Sequence, residues 1–533
     1  MGRLLNARRA TLIAAVLALA FAGLTPLLLM IFSSVRVESQ FSLRNYVEVF
    51  GNLRTWILFR NSLALATFTT AIAGVLGVTL GILIAKTDLP LRATFAVSFS
   101  LPLLFPPYVL AIGWFQVLGR GGLLAQWLGP ASGEMTSRWL FGLPGAVLVL
   151  ASAFLPIVVL LTITYLRGID PSLEEAARLC SRWPGILQRI TIPLIRPGIL
   201  LSLVLVFLLS MGEFGAPAFL RVNVFPVASF TQSAAFYNFG AATAAAVPFI
   251  GVVLLGLLIT ERLLHDKAYA FRWALHQRQP QIPLGPKAPL VFSTVLSLAV
   301  VLVAMPLGGV LWRGASVTAL SEAVQRAGAS AMRSVVYAAI ASTIVCSLGF
   351  FLAYIVHRRA LGGWWSLDAL TLFLFTLPGT VLGIGLIVLW NRPSTNWIYA
   401  TPAILLIGFV AQYCALGTRM ILAGFSQLPQ SFEEAAELSG ARWSQRVFGI
   451  LVPLLRPATL AAWAVAFLFC LRDLSLPLLL APPGGDTLTA RTMTLMANGS
   501  PELVAALSVL SIALALAPIG VLGVAWRAWS KPA

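Results

Sequence analysis

The sequence predicts an all-α polytopic membrane protein of about twelve transmembrane helices, arranged as two parallel six-helix repeats. Three observations carry this reading. Hydrophobic residues make up 59% of the 533-residue chain and charged residues only 10%, against about 25% in soluble domains. Twelve apolar runs reach the roughly 20 residues that a helix needs to cross a bilayer. A block of acidic, small and proline residues recurs at a near-constant distance in the two halves. The same composition excludes a disordered chain, which would be poor in apolar residues. The chain carries 36 Lys and Arg and 18 Asp and Glu, a net charge of +18. Nucleic acid is not needed to explain that excess, because basic residues on the cytoplasmic side orient membrane helices.

The runs are 10–33, 61–85, 94–118, 143–166, 198–220 and 241–263, then 289–312, 335–356, 367–389, 399–423, 458–480 and 503–526. Arg8-Arg9 precede the first run, and Ala20-Phe21-Ala22 resembles a cleavage site. Apolar residues nevertheless continue to Phe32, beyond the 7–15 residues of a signal-peptide core. The run is therefore expected to be an uncleaved span. Orientation follows from the short loops. Arg3, Arg8 and Arg9 lie before the first run, and Lys86 and Arg92 after the second. Arg262, Lys267, Arg272, Arg278 and Lys287 follow the sixth, and His357, Arg358 and Arg359 the eighth. Arg527 and Lys531 lie in the tail. Twelve spans put all of these on one side. The opposite loops are poorer in charge, except 34–60, which has four Arg and two Glu. Both termini are expected in the cytoplasm.

Little in the chain points to catalysis. Cys180, Cys346, Cys414 and Cys470 are far apart, and His265, His276 and His357 sit beside basic residues at the ends of apolar runs. Neither set has metal-ligand spacing, so no metal site and no catalytic residue are expected. The sequence has no Gly-Lys dipeptide, hence no phosphate-binding G-x-x-x-x-G-K-[ST] loop.

The repeat is specific. Glu174-Glu175-Ala176-Ala177, Arg182-Trp183 and Pro193-Leu194-Ile195-Arg196-Pro197 return as Glu433-Glu434-Ala435-Ala436, Arg442-Trp443 and Pro453-Leu454-Leu455-Arg456-Pro457. The offset is 433 − 174 = 259 before the Trp and 443 − 183 = 260 from it onward. Val109-Leu110-Ala111-Ile112-Gly113 likewise matches Val381-Leu382-Gly383-Ile384-Gly385. The halves are therefore expected at 1–264 and 289–533, joined by a cytoplasmic linker, 265–288, that contains Gln279-Pro280-Gln281-Ile282-Pro283. Six spans in each half make the repeats parallel, related by an axis along the membrane normal, with a pathway along that axis.

Each repeated block lies between the fourth and fifth span of its half and opens like a soluble helix. Ser172-Leu173-Glu174-Glu175 and Ser431-Phe432-Glu433-Glu434 fit the S-x-x-E capping box. Ala176-Ala177 and Ala435-Ala436 would let another surface approach closely. Gly440 permits a turn, where the first copy has Ser181. Capping alone accounts for one copy. Two copies on one face point to a paired docking surface.

These residues resemble the E-A-A…G…P loop of type I ABC-importer permeases. Glu434-Ala435-Ala436 with Gly440 and Pro453 matches it, as does Glu175-Ala176-Ala177 with Pro193, apart from Ser181. The resemblance implies a permease of the bacterial inner membrane that is not itself an enzyme. It implies that Glu174, Glu175, Ala176 and Ala177, and Glu433, Glu434, Ala435, Ala436 and Gly440, form two coupling loops seated on ATPase subunits, one copy under each loop. ATP and Mg would belong to that partner, and cargo would arrive on a periplasmic binding protein. An ion-gradient-driven secondary transporter also fits parallel six-span halves, but has no use for a doubled loop.

Two acids interrupt the fifth span of each half: Glu213 in Gly212-Glu213-Phe214-Gly215-Ala216-Pro217, and Asp473 in Arg472-Asp473-Leu474-Ser475-Leu476-Pro477. Each lies four residues before a proline at the same offset, 473 − 213 = 260. Acids inside a span cost about 2.5–3.5 kcal/mol on insertion scales and mark function by default. Pro217 and Pro477 each leave a backbone carbonyl free in the preceding turn, so acids and carbonyls together would line a polar path. The bland alternative has Asp473 paired with Arg472 and Glu213 capping a broken helix. These stretches, with Pro482-Pro483-Gly484 and Thr487-Leu488-Thr489-Ala490-Arg491 behind the second, look like the ferric-iron branch of the family. Fused permeases are usual in that branch, and it has Glu where this chain has Asp473. Thiamine, polyamine and phosphonate permeases look similar.

Overall fold

A computed structural model describes residues 2–37, 40–234, 239–264 and 280–529. Of the expected linker 265–288, residues 265–279 lie outside the described residues, as do His265, His276, Lys267, Arg272, Arg278 and Lys531. Apart from a two-residue hairpin, β1 (Arg36–Val37) with β2 (Gln40–Phe41), the elements described are helical.

The first half contains α1 (Arg8–Ser34), α2 (Leu53–Lys86), α3 (Arg92–Ser100), α4 (Pro107–Leu118) and α5 (Leu143–Arg167). It continues with α6 (Pro171–Arg178), α7 (Ile192–Gly212), α8 (Gly215–Phe219) and α9 (Phe239–Leu264). The second half repeats the order with α10 (Gly285–Gly314), α11 (Val317–Arg358), α12 (Trp364–Thr376), α13 (Gly379–Trp390) and α14 (Ala403–Phe425). It ends with α15 (Ser431–Leu438), α16 (Arg456–Arg472), α17 (Ser475–Leu480) and α18 (Pro501–Trp529). Among the described residues, ten helices are long and apolar enough to cross a membrane, and two bent pairs bring the number to twelve.

Four spans expected to be continuous are broken. The third run separates into α3, a 3-10 turn at Leu101–Leu104 and α4. The ninth bends by 104° between α12 and α13, at Leu377-Pro378. The fifth and eleventh end their long helices at Gly212 and Arg472, and both acids stand in extended backbone before a short helix restarts. The physical reason is proline in the first two cases. Pro106 and Pro378 donate no backbone N–H and push the preceding residue out of helical geometry. The apolar period is blind to such a break, since membrane helices tolerate proline.

Elsewhere proline distorts a turn, and just past Pro453 the chain also bends by 73° between Trp443–Leu454 and Arg456–Arg472. Four π-turns, Ala20–Leu24, Leu187–Thr191, Val300–Ala304 and Val447–Leu451, each end two residues before a proline: Pro26, Pro193, Pro306 and Pro453. The wider turn accommodates the carbonyl that the proline ring would strike in a regular helix. The same device at matched positions marks the two halves as copies.

The halves exchange their first spans. α1 packs on α11 and α13 of the second half, and α10 packs on α3 and α4 of the first. Leu12, Leu19, Leu27 and Met30 share a core with Phe350, Leu374 and Val381, and Val295 and Leu302 share one with Phe95 and Phe99. The crossing places Pro306 of α10 against Gly113 of α4, where a Cβ would stand 2.2 Å from the Pro306 carbonyl oxygen. At the matched crossing, a Cβ on Gly385 would stand 3.1 Å from the Pro26 carbonyl oxygen. The Val-Leu-x-Ile-Gly repeat is thus the seat for the other half's kinked first span.

Candidate functional site

Two kinds of repeated feature stand out: the loops α6 and α15, each packed on its own half, and the helix breaks, which meet between the halves.

α6 starts earlier than the capping-box pattern predicts. Its N-cap is Asp170, whose carboxylate accepts the Ser172 N–H at 3.0 Å. The Ser172 hydroxyl, and after it this N–H, hold the Asp170 carboxyl below its ordinary range. α15 starts after Gln430 with no side-chain cap. Neither Ser172 nor Ser431 is therefore an N-cap, and the predicted boxes with Glu175 and Glu434 do not form. A carboxylate competes well for the cap, and Pro171 fixes the first helical residue.

The first glutamate of each pair faces inward. Glu174 is buried, with Lys86 Nζ at 2.6 Å and Thr191 Oγ1 donating at 2.8 Å. Glu433 is buried, with Arg358 Nη2 at 2.7 Å and Tyr354 Oη donating at 2.8 Å. The second glutamates, Glu175 and Glu434, face outward with Ala176 and Ala435, while Ala177 and Ala436 are half-buried. Exposed apolar side chains flank them at matched positions: Leu173 on α6 and Leu179 just after it, Phe432 and Leu438 on α15. Leu179 and Leu438 are 87% and 90% exposed, so each loop presents a partly apolar surface. Gly440 turns the chain at φ +79°, and the Ala441 N–H reaches back to the Ala436 carbonyl at 3.0 Å. Ser181 closes the equivalent turn without a positive φ, its N–H bonding the Ala177 carbonyl at 2.9 Å. The second loop is also roofed by the chain's start, with the Arg8 guanidinium over Tyr354 and Trp443 at 5.4 and 5.6 Å.

At the middle of the bundle, the breaks surround a cavity of about 90 Å³ lined by Glu213, Asp473, Arg472, Tyr413, Gln412 and Pro378. The two acids, from opposite halves, are thus brought onto one wall system. Glu213 accepts the Gly215 N–H at 3.1 Å, and Asp473 accepts the Leu476 N–H at 3.1 Å and the Tyr413 hydroxyl. Each acid therefore caps the helix that restarts behind it. Asp473 makes no ion pair with Arg472 among the described residues; Arg472 instead donates to the Leu103 carbonyl in the first half's break. Pro217 and Pro477 stand within the short α8 and α17 rather than after a full turn. The carbonyl four residues before Pro477, that of Asp473, is taken by the Thr489 hydroxyl at 2.6 Å. The predicted free carbonyl is therefore occupied in the second half.

Sequence reasoning passed over Thr191 and Tyr354 at the loops and Tyr413 and Gln412 at the cavity; it read Lys86 and Arg358 only as orienting charges and Arg472 only as a partner for Asp473. A signal existed for one pair: Lys86 and Arg358 are separated by 358 − 86 = 272, as are Val109 and Val381. Arg472 has no such signal, because the matching residue is Gly212.

The family model described as the binding-protein-dependent transport system inner membrane component matches the chain twice, over residues 77–266 and 347–533. The ferric transport system permease protein FbpB of Actinobacillus pleuropneumoniae is 25% identical over 485 residues, covering 86% of this chain and 69% of that protein. The Fe(3+)-transport system permease protein FbpB 2 of Haemophilus influenzae is 22% identical over 460 residues, covering 85% and 86%. The molybdenum transport system permease protein ModB of Escherichia coli K12 is 32% identical over 194 residues, covering 34% and 81%. Each family match includes a broken third span, a loop with its buried and exposed glutamates, and an acid at a helix break. The chain belongs to the binding-protein-dependent inner-membrane permeases of ABC importers, in a form that carries two six-helix halves on one polypeptide.

Proposed function

We propose that this permease carries ferric iron inward, driven by a separate ATPase. The observation that carries the cargo is the extent of likeness. Two relatives named for ferric transport align with 85–86% of the chain, across both halves, whereas the molybdenum relative, a shorter chain matched over 81% of its own length, aligns with 34%. The cavity chemistry agrees, because hard cations take oxygen ligands and two carboxylates from opposite halves face one small space. The halves are 1–264 and 289–533, and the basic loops put α6, α15 and both termini in the cytoplasm.

In this reading the exposed faces of α6 and α15 each seat one ATPase subunit. Glu175, Ala176, Glu434, Ala435 and Gly440 supply the contact, with Leu173, Leu179, Phe432 and Leu438 as its apolar part. ATP and Mg act on the partner. When the ATPases close, the loops carry the motion into the spans and open the cavity outward. A periplasmic binding protein then delivers cargo, and Glu213 and Asp473 attract the cation as their capping bonds exchange. Pro217 and Pro477 keep the restarted helices short and the acids at the break.

A second reading takes an oxyanion as cargo. Arg472 supports it, as a guanidinium on the cavity wall with no counterpart in the first half. Uptake of radiolabelled ferric iron and of molybdate by cells expressing the permease, its ATPase and its binding protein separates the two. Saturable iron uptake without molybdate uptake supports the first reading, and the reverse result supports the second.

A further inference from the structure

We infer that Glu174 and Glu433 are positioning residues that fix each cytoplasmic loop to the spans of its own half, while ATPase docking belongs to their exposed neighbours. The inference rests on the importer reading and divides the four loop glutamates into two roles.

The pairing is built twice. Lys86 closes α2 and Arg358 closes α11 at matched positions, offset by 272 residues, whereas Glu174 and Glu433 are offset by 259. The two members of each pair thus lie in segments whose spacing has drifted apart by thirteen residues. The contact survives the drift, and it survives exchange of ammonium for guanidinium. The first pair is dry and the second largely so: the side chains of Lys86 and Glu174 are 1% and 0% exposed, those of Arg358 and Glu433 15% and 8%. A dry ion pair is poor glue, because desolvation offsets its attraction and an apolar pair would hold as well. What it supplies is one defined geometry, since either charge alone in that setting is strongly unfavourable.

Each carboxylate also has a second donor on a transmembrane element. Thr191 lies in the π-turn that opens the fifth span, whose α7 ends at Gly212 beside Glu213. Glu174 therefore joins the end of the second span to the start of the one that reaches the cavity. Tyr354 lies one turn before Arg358, so Glu433 holds α11 by two side chains. On the fifth-span side of that loop, Arg446 pairs with Glu437 at 2.5 Å. A loop held this way cannot slide along its half without separating buried charges, so motion imposed on the exposed face reaches the breaks.

The test uses the full chain with its copurifying ATPase in liposomes, and ferric-loaded binding protein as the stimulus. Two quantities are read: ATPase retained per permease, and the ratio of stimulated to basal hydrolysis. The isosteric pair E174Q/E433Q is expected to retain ATPase at the wild-type level while the ratio falls at least several-fold. E175R/E434R is expected to lose the ATPase itself. An unchanged ratio in E174Q/E433Q overturns the inference, and so does loss of ATPase equal to that in E175R/E434R. Should the Gln pair fail to insert, T191V and Y354F decide, because each keeps the ion pair and removes one hydrogen bond. A lowered ratio supports the positioning role and a wild-type ratio overturns it. Wild-type protein that captures no ATPase would sink the importer reading, a result distinct from any of these.

Discussion

Glu174 and Glu175 are neighbours in sequence with opposite environments, because successive residues point about 100° apart around a helix axis. The S-x-x-E pattern marks Glu175 and Glu434 as cappers. Asp170 takes the first cap in place of Ser172, the second helix starts uncapped after Gln430, and Glu174 and Glu433 are the buried members. The presence of two loops was legible in the repeat, but the S-x-x-E pattern does not weigh where each helix starts, after Asp170 in the first loop and after an uncapped Gln430 in the second. E434R and E175R each reverse a charge in the first turns of a short helix, opposing its dipole by about 0.3–1 kcal/mol. The larger effect is on the exposed face: we expect each variant to insert and to retain less ATPase, scored by copurification. E434R should be the more severe, since Gly440 gives the second loop its sharper turn. At the cavity, Glu213→Gln with Asp473→Asn removes both negative charges while amide oxygens still accept the Gly215 and Leu476 N–H groups. Iron uptake should fall about tenfold in the double variant, equivalent to ~1.4 kcal/mol, and less in either single one. ATPase retention should stay at wild type. Unchanged uptake in the double variant would leave both acids as helix caps only.

At the scale of elements, the apolar runs located every span but could not distinguish a kink from a break. Pro26, Pro193, Pro306 and Pro453 are absorbed by π-turns, whereas Pro106 and Pro378 end their helices. Both outcomes leave the same hydropathy. The difference lies in tertiary context: Pro26, Pro193 and Pro306 sit inside long helical spans, Pro453 precedes a 73° bend, and Pro106 and Pro378 face the cavity, where the Leu377 carbonyl finds the Gln412 amide at 3.3 Å. The glycines that seat the exchanged spans give a graded prediction. A side chain at Gly113 meets the Pro306 carbonyl at 2.2 Å, against 3.1 Å for Gly385 and Pro26. Overpacking of this kind costs about 1–3 kcal/mol. Gly113→Val should therefore lower the Tm in detergent more than Gly385→Val does, and equal shifts would contradict the exchanged packing.

Across the whole molecule, two copies of one six-span unit are interlocked by their first helices, with the exposed loops at one end and the cavity between them. The parallel duplication was legible because the repeated blocks are long and their spacing is nearly constant. The exchange was not, since hydropathy says nothing about which half a span packs against. It carries a prediction of its own: residues 1–264 and 289–533, expressed as separate chains, should copurify and restore uptake together. Each alone should accumulate poorly, because its first span would lack the surface that covers it in the exchanged arrangement. The central claim, that this chain couples ATP hydrolysis on a partner to inward movement of ferric iron, is tested most directly in liposomes containing the permease and its ATPase. ATP hydrolysis and trapped iron are measured together as ferric-loaded binding protein is added. The account predicts that both rise together and that iron-free binding protein stimulates far less. Iron accumulation that proceeds without ATP, or hydrolysis that rises equally with molybdate-loaded protein, would contradict it.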